Sequence, residues 1–378
     1  MKSVLIVSNI YTNPVVSGSC KCILDYRALL ESLGVTTYLL YIGKDEEAKR
    51  VEMEKAWNGR VFYYHFNWFE AAFHHKYRKL YHIVTGKYPT DYFICFRLNQ
   101  FVRKLESNYN FTLAIINYPW ISFVSNYFKK TRTAIFTHDC FSNKSERIGI
   151  DMYSLTPSQE SRILKRFDNI LAIQSLEAVV FKYLAPNTPC YTVYSSAPYV
   201  CTDYVGNKRL LYIAADNKLN YDGITYFIDN IFVRLKTFIP EIELNVAGKI
   251  CNSLKKYVGY EGVNLVGYVD SFTSFYSSAD IAINPTRRGS GLKIKTVEGI
   301  SYGKIMLTST HSSEGIYDNG DLPLFVADSF EDYFSILSKL WSDKDYLLQM
   351  KNKCAVYIDD MNKYIANTYT QLIKDNTI

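Results

Sequence analysis

The sequence predicts an α/β protein built from two doubly wound parallel sheets. Its 378 residues are too many for one hydrophobic core and suit two domains of roughly 180 residues each. Short β-branched or aromatic runs alternate with segments of helical periodicity, as they do in parallel βαβ units. This alternation stops once along the chain and then restarts, which indicates two domains of the same class.

Short apolar runs carry the strand prediction. Seven precede Ala197 and six follow Lys208, and proline, glycine and polar residues separate the two groups. The first group is SVLIVSN, TTYLLYI, RVFYYHF, TLAIINY, TAIFTHD, NILAIQS and CYTVYSS, and the second is RLLYIAA, IELNVAG, VNLVGYV, DIAINPT, KIMLTST and LPLFVA. A helical pattern that stops at Gly34 joins the first two runs, and beyond Asp328 the pattern is helical to the end.

The composition is that of a soluble globular protein and excludes several other classes. Apolar residues make up 48% of the chain and charged residues 21%. The net charge of +6 is modest for this length, so nucleic acid is not an expected partner. The eight cysteines lack the spacing of a zinc or redox motif, and no apolar run approaches the ~20 residues that cross a bilayer. We therefore expect a cytoplasmic protein with reduced thiols.

The segment NPTRRGSGLKIKTVEGISYGK concentrates positive charge where a predicted strand becomes a helix. Gly289 and Gly291 permit a close backbone approach, and the start of the helix supplies unpaired N–H groups and partial positive charge. Lys293 and Lys295 add full charges that a diphosphate could use. Glu298 follows one turn later, where two ribose hydroxyls would donate hydrogen bonds to it. This spacing favours a nucleotide site over a glycine-rich turn with a solvated Lys–Glu pair.

This segment and its continuation, IMLTSTHSSEGI, resemble the donor-binding signature of GT-B glycosyltransferases, particularly retaining family four, the glycosyl transferases group 1. Three further pieces occur in the expected order: YIAADNKLNYDGITYFIDNIF, ELNVAGK and VNLVGYVDSFTSFYSSADIAINP. The resemblance covers most of residues 209–330. It implies a GT-B fold, in which two doubly wound Rossmann-like domains face an interdomain cleft. Residues 1–200 would form the acceptor-side domain and 201–350 the nucleotide-sugar-binding domain, while helices in 351–378 would pack back toward the N-terminal domain.

The resemblance also implies roles for individual residues of the donor site. Glu298 would bind the ribose, and Lys218 would clamp the phosphates or the leaving group. The diphosphate would lie against the amides of Ser290, Gly291 and Leu292. Other implied donor-binding residues are Lys249, Tyr268, Val269, Arg288, Gly289, Lys293 and Lys295, with the backbone of Tyr268 and Val269 holding the base.

The glycine-rich turn departs from the family pattern in one respect. Many members have two glutamates separated by seven residues, and the first of them contacts donor-sugar hydroxyls. Here the turn offers Arg288 in place of that glutamate. A cation at this point would face an acidic sugar or the diphosphate.

Two positions in the N-terminal half resemble the acceptor side of the same family. Gly18 matches one glycine of a loop near the donor and acceptor, although an ordinary first loop explains it equally well. His138 ends a predicted strand, where related enzymes place a histidine near the donor sugar. It would hydrogen-bond a sugar hydroxyl or stabilise the reacting centre, unless it is a structural histidine. The implied catalytic residues are therefore His138, Lys218 and Glu298.

Residues 60–104 are strongly basic, with eight Lys or Arg residues against two Asp or Glu residues. Within FNWFEAAFHHKYRKLYHIVTG, one helical stripe contains Phe69, Phe73, Tyr77, Leu80 and Val84. In one interpretation this stripe packs into its domain while a basic face is solvated. In the other, the segment contacts an anionic membrane surface or a lipid-diphosphate acceptor, which would place the protein peripherally at the inner membrane face.

The sequence thus predicts a glycosyltransferase that moves a sugar from a nucleotide-diphosphate donor to a hydroxyl of a glycan or lipid-linked acceptor. If it resembles its family, it retains the anomeric configuration and serves cell-surface polysaccharide or glycoconjugate synthesis. The clearest Asp-x-Asp, Asp343 to Asp345, opens a late helix, so we expect neither a metal nor a further cofactor. Dinucleotide, Walker and serine-hydrolase motifs are absent from the sequence. Two alternatives remain: a nucleotide-sugar epimerase of the same fold, and a non-catalytic partner of another glycosyltransferase.

Overall fold

The computed structural model describes residues 2–15, 18–86, 88–90, 95 and 97–377. The chain divides into two compact units. Unit 1 comprises Met1–Ser196, Ser290–Leu292 and Tyr364–Ile378, and unit 2 comprises Ala197–Gly289 and Lys293–Lys363. Each unit contains one parallel sheet with helices, so the predicted fold class is confirmed. The described strands coincide with the apolar runs of the sequence.

Unit 1 is built on a seven-stranded parallel sheet. Its strands are β1 (Ser3–Ser8), β2 (Thr36–Gly43), β3 (Val61–His65), β4 (Leu113–Asn117), β5 (Arg132–Phe136), β6 (Asn169–Ala172) and β7 (Cys190–Thr192). The spatial order is β3-β2-β1-β4-β5-β6-β7. Because the chain runs outward from β1 in one direction and later resumes at β4 in the other, the point between β1 and β4 is where ligands bind in such sheets.

The helices of unit 1 cover this sheet. They are α1 (Gly18–Ser32), α2 (Glu47–Ala56), α3 (Trp68–Thr85), α4 (Leu98–Asn108), α5 (Lys144–Ile148), α6 (Pro157–Leu164) and α7 (Ser175–Leu184), with a 3-10 segment at Pro119–Tyr127. The central strands β1 and β4 are almost entirely buried, as expected when helices lie on both faces of a sheet. Gly34, at φ 77°, follows the end of α1 in the left-handed conformation that terminates helices.

Unit 2 is built on a six-stranded parallel sheet. Its strands are β8 (Arg209–Ile213), β9 (Glu243–Ala247), β10 (Val263–Gly267), β11 (Ile281–Asn284), β12 (Ile305–Thr308) and β13 (Leu324–Val326). The order is β10-β9-β8-β11-β12-β13. The direction of strand addition therefore reverses between β8 and β11, which makes their carboxyl ends the expected ligand position.

The helices of unit 2 complete its core. They are α8 (Lys218–Phe227), α9 (Val233–Phe238), α10 (Phe272–Tyr276), α11 (Ile294–Ser301), α12 (Thr310–Ser313), α13 (Phe330–Ser342) and the part of α14 (Lys344–Asp375) that precedes residue 364. A π-helical turn, Ile228–Phe232, joins α8 to α9, and 3-10 turns lie at Lys249–Asn252 and Lys255–Tyr257. The Asp343 side chain accepts from the Tyr346 N–H at 2.9 Å, which caps α14 as its place in the sequence predicted.

A buried ion pair fixes α14 within unit 2. Lys351 donates to Asp280 across 2.7 Å, and both side chains are almost fully enclosed. Asp280 also accepts from the backbone N–H of Gly206 at 2.7 Å, while Lys351 donates to the carbonyl of Asp203 at 3.0 Å. One carboxylate therefore ties the segment that leads into β8 to a helix late in the chain.

Candidate active site

The predicted donor-binding residues of unit 2 follow neighbouring strands at one edge of its sheet. Lys218 begins the helix after β8, and Lys293 precedes the helix after β11. Lys249 follows β9, and Tyr268 follows β10. Since parallel strands present their carboxyl ends together, the topology gathers side chains that are far apart in the sequence at the switch point between β8 and β11.

The loop between β11 and α11 is held from both sides. The Asn284 side-chain amide donates to Thr296 Oγ1 at 3.0 Å, and this hydroxyl donates to the carbonyl of Ser312 at 2.9 Å. On the other side, a Cβ added to Gly223 of α8 would lie 2.9 Å from the Cα of Thr286. Only glycine at position 223 lets α8 approach the loop this closely. Helix α8 is thereby packed closely against this loop.

The amino end of α11 has the features of an anion site. In the described structure, the Lys293 side chain makes no capping hydrogen bond to α11. Uncapped N–H groups and the helix dipole favour negative charge at that end. Gly289 has φ 156° and Gly291 has φ 72°, so the turn uses backbone conformations that side chains disfavour. Ser290 and Leu292 lie in the same turn, and residues 290–292 belong to unit 1.

Two predicted cations meet at one carboxylate beside this turn. Arg288 Nη2 lies 3.1 Å from Asp222 Oδ2, and Lys218 Nζ lies 3.3 Å from the same oxygen. Both cationic side chains are more than half exposed. In water such pairs are weak, so an incoming diphosphate can compete with Asp222 for either cation.

Lys295 is more enclosed than these two residues. Its Nζ donates to Asn220 Oδ1 at 2.7 Å, and Asn220 is buried at the start of α8. Burial lowers the pKa of Lys295 to about 8, an effect that Glu298 opposes and Lys293 reinforces. The ammonium is therefore held at the switch point by a neutral amide, and an anionic ligand there would favour its charged form.

His311 is a site residue that sequence reasoning missed. Lys293 Nζ lies 3.0 Å from His311 Nε2, and His311 Nδ1 lies 3.4 Å from Glu314 Oε2. Burial, followed by the charge of Lys293, lowers the pKa of His311, which favours the neutral ring. An ammonium only donates, so Nε2 accepts from Lys293 and Nδ1–H points to Glu314. One signal in the sequence could have identified His311: it lies shortly after β12, and ligands bind at the carboxyl ends of such strands.

Glu298 is oriented by a buried tyrosine. Tyr276 of α10 donates from its hydroxyl to Glu298 Oε1 at 2.9 Å, and the Tyr276 ring stacks on Tyr302 with centroids 4.7 Å apart. Burial and the neighbouring carboxylate raise the pKa of Tyr276 well above its usual value, so this hydroxyl remains a donor. Sequence reasoning did not single out Tyr276, because the contact joins two helices 22 positions apart.

The remaining predicted residues of unit 2 lie further along the same sheet edge. A Cβ at Gly248 would lie 2.3 Å from the carbonyl oxygen of Ala214, so only glycine brings the end of β9 this close to that of β8. Lys249, the next residue, is exposed. Tyr268 is 79% exposed and Val269 is partly buried. The side chain of Tyr268 thus faces solvent. This arrangement is compatible with the prediction that the backbone of Tyr268, and not its side chain, contacts the base.

His138 lies in unit 1, at the carboxyl end of β5. Its Nε2 is 2.8 Å from Asn117 Oδ1, at the end of β4. The amide of Asn117 also donates to the carbonyl of Val7 at 3.0 Å, so Asn117 Oδ1 is the acceptor and His138 Nε2 carries the proton. The imidazole ring stacks on Tyr118, with centroids 4.2 Å apart. Asn117 and Tyr118 were not identified from the sequence.

The surroundings of His138 restrict what it can do. Burial lowers the pKa of His138 to about 3, so the ring is neutral at physiological pH. A neutral imidazole can donate or accept a hydrogen bond, but it is not protonated and so cannot act as a charged acid. Its backbone has φ 61°, a conformation uncommon for residues other than glycine. Such conformations are often associated with functional sites.

Gly18 is the first residue of α1 and is exposed. The next residue, Ser19, accepts a hydrogen bond from the hydroxyl of Tyr118. Residues 16 and 17 of this loop lie outside the described residues. The structure therefore places Gly18 near the switch point of unit 1 and gives it no further contact that identifies a role.

Comparison with known proteins shows which family part of the chain resembles. Residues 207–343 match the family described as glycosyl transferases group 1. The matched region includes Lys218, Arg288, Lys293 and Lys295. The predicted resemblance and the predicted enzyme class, a nucleotide-sugar-dependent glycosyltransferase, are thereby confirmed. No curated protein matches the sequence of this glycosyltransferase.

Solved structures share the fold of this glycosyltransferase over almost its whole length. TarM has a TM-score of 0.70 at 10% identity, with 99% of each chain covered. The pneumococcal O-GlcNAc transferase GtfA, in complex with UDP and GlcNAc, has a TM-score of 0.68 at 10% identity, with 99% of each chain covered. Anabaena HepE, in complex with UDP and glucose, has a TM-score of 0.62 at 11% identity, covering 98% of this chain and 100% of that one. At these identities the likeness establishes the GT-B fold.

One inference from the sequence needs correction. Eight positions before Glu298 the glycosyltransferase has Ser290, so Ser290 stands where the family pattern places the first of its two glutamates. Arg288 lies two residues earlier and pairs with Asp222. The missing carboxylate is therefore replaced by a hydroxyl at that position, and Arg288 is an additional cation of the turn.

Proposed function

We propose that this protein transfers a sugar from a nucleoside-diphosphate sugar to a hydroxyl of a glycan or glycolipid acceptor, with retention of configuration. The observation that carries the proposal is the convergence of four cations and an uncapped helix start at the switch point of unit 2. Those cations are Lys218, Arg288, Lys293 and Lys295. TarM from S. aureus, GtfA and HepE have each been solved with UDP, which makes UDP the first nucleotide to test.

The proposed chemistry follows from where charge develops. As the bond between the sugar C1 and the phosphate oxygen breaks, negative charge grows on the departing diphosphate. Lys295 and the N–H groups at the start of α11 would stabilise that charge in the transition state, and Lys218 would add to the effect. Because these groups supply positive charge themselves, we propose that transfer does not require a metal. Glu298, oriented by Tyr276, would accept hydrogen bonds from the ribose hydroxyls.

Retention would follow if the acceptor hydroxyl attacks C1 from the face that the diphosphate leaves. A bond then forms between the acceptor oxygen and C1, and the acceptor proton passes to the departing phosphate oxygen. A neutral His138 would hydrogen-bond the donor sugar at this stage and would not supply the proton. We further propose that the reaction belongs to the synthesis of a cell-surface polysaccharide or glycoconjugate and takes place in the cytoplasm.

Nucleotide titration tests the donor site. We expect Glu298→Ala to weaken UDP binding by about 1–3 kcal/mol, the cost of losing hydrogen bonds to a charged group. Glu331→Ala is the matched control, since Glu331 is an exposed carboxylate of unit 2 that pairs with Arg234 at 3.2 Å. Equal UDP affinity in folded Glu298→Ala and wild-type protein would exclude the ribose assignment.

Product analysis tests the reaction. The protein is incubated with UDP-sugars in the presence and in the absence of glycan and glycolipid acceptors. Transfer with an unchanged anomeric configuration supports the proposal. A changed sugar configuration without any acceptor would instead identify an epimerase, and nucleotide binding without turnover would favour a non-catalytic partner.

A further inference from the structure

The outer face of α3 exposes an unusual amount of apolar surface. The relative exposures are 75% for Trp68, 69% for Phe69, 49% for Phe73, 62% for Leu80, 68% for Ile83 and 73% for Val84. Five of these side chains, Phe69 to Val84, fall within an arc of roughly 100° around the helix. Of the two interpretations open from the sequence, packing of this stripe into the domain is therefore wrong. Contiguous exposed apolar patches mark interaction sites.

Both ends of the described helix are capped. Asn67 and Glu70 make a reciprocal capping box, with both hydrogen bonds at 2.9 Å. Gly86 terminates the helix in the left-handed conformation at φ 64°. On the inner side, Glu70 also accepts from the Tyr64 hydroxyl of β3 at 2.7 Å. A helix capped at both ends thus presents its apolar side outward.

The charge on this helix has one sign wherever it is exposed. Lys76, Arg78 and Lys79 are exposed. The only acidic residue in the α3 sequence, Glu70, is 1% exposed and occupied by its capping and tyrosine contacts. Lys76 lies within the apolar arc and Lys79 about 40° beyond its edge, so the cations lie on the apolar face or next to it.

We propose that α3 binds the surface of an anionic phospholipid bilayer. Apolar side chains on one face of a helix insert at the boundary of headgroups and acyl chains, while neighbouring lysines extend to the lipid phosphates. The exposed aliphatic residues Leu80, Ile83 and Val84 favour this occupant over single-stranded nucleic acid, whose bases stack on aromatic side chains. The absence of any exposed carboxylate in the α3 sequence favours an anionic partner. No helix among the described residues is long and apolar enough to cross a membrane.

Vesicle co-sedimentation with the full-length protein tests the proposal. We expect binding to vesicles of phosphatidylcholine and phosphatidylglycerol in equal parts, weak binding to phosphatidylcholine alone, and release by salt. The variant Phe69→Ser/Leu80→Ser/Ile83→Ser should reduce binding by tenfold or more, since about 0.8 kcal/mol is lost for each buried CH₂ removed. Lys76→Glu/Lys79→Glu should reduce it to a similar extent, since each cation near an anionic surface contributes about fivefold.

The matched control removes equally exposed apolar groups from another helix of unit 1. Leu176, Val179 and Tyr183 of α7 are 48%, 65% and 85% exposed, and Leu176→Ser/Val179→Ser/Tyr183→Ser should leave vesicle binding unchanged. All variants should keep the wild-type melting temperature and UDP affinity, which separates this test from that of the donor site. The proposal is overturned if the wild-type protein does not bind anionic vesicles, or if either α3 variant binds them as strongly as the wild type does. Concentration-dependent self-association that the α3 variants abolish would overturn it in favour of an interface between two copies of the chain.

Discussion

Lys295 should give the proposed donor site a pH dependence that binding measurements can detect. Burial lowers the pKa of Lys295 from 10.5 to about 8, and its amine is held by the neutral side chain of Asn220. A diphosphate bound beside it would stabilise the ammonium and raise that pKa again. We therefore expect nucleotide binding above pH 8 to take up a proton.

The size of the effect follows from this pKa. An amine with a pKa of 8 is about 90% charged at pH 7 and about 10% charged at pH 9. If UDP binds only the charged form of Lys295, the apparent UDP affinity falls about tenfold from pH 7 to pH 9. The sign is fixed by the shift: a lowered pKa in the free protein means that affinity is lost as the pH rises.

Isothermal titration calorimetry in buffers of different ionisation enthalpy measures both the affinity and the protons taken up. At pH 9 we expect uptake of about 0.9 proton per UDP bound, and at pH 7 about 0.1. Lys295→Met should bind UDP more weakly at pH 7 and lose the pH dependence. Lys295→Arg should also show a flat profile, because its charge persists throughout. A tenfold loss that survives in Lys295→Met would refute the assignment, as would a wild-type affinity that does not change with pH.

Two further predictions concern groups outside the nucleotide site. His138→Gln should lower kcat by roughly 100-fold while leaving UDP affinity unchanged; because the pKa of His138 is about 3, the wild-type rate profile should show no inflection from this ring between pH 5 and pH 8. An intact rate in the variant would remove His138 from the reaction. Asp280→Asn should destabilise unit 2 by about 3–5 kcal/mol, because it leaves the Lys351 ammonium buried without its counter-ion. Calorimetric melting would show this, with partial recovery in Asp280→Asn/Lys351→Met, and equal melting of all three proteins would contradict the argument.

The sequence by itself determined the strands and the local features on which the proposed donor loop depends. Strands of a parallel sheet are covered on both faces, so each appears as a short apolar run whatever its neighbours are. The glycine-rich turn could also be recognised from the sequence, because its features are local. Gly289 and Gly291 permit a tight turn at a helix start, and Glu298 follows Lys295 by about one helical turn. These features depend on residues within about a dozen positions of one another, which is the range that a sequence pattern can report.

Only the tertiary structure decided which distant groups meet these residues. The hydroxyl of Tyr276 reaches Glu298, and His311 receives Lys293, because strand order places their loops at one edge of the sheet. The burial that lowers the pKa of Lys295 is likewise a property of the packed unit and not of its neighbours in sequence. The stripe on α3 shows the same limit, since helical periodicity reveals that apolar residues share a face, while whether that face meets protein or solvent depends on elements elsewhere in the fold.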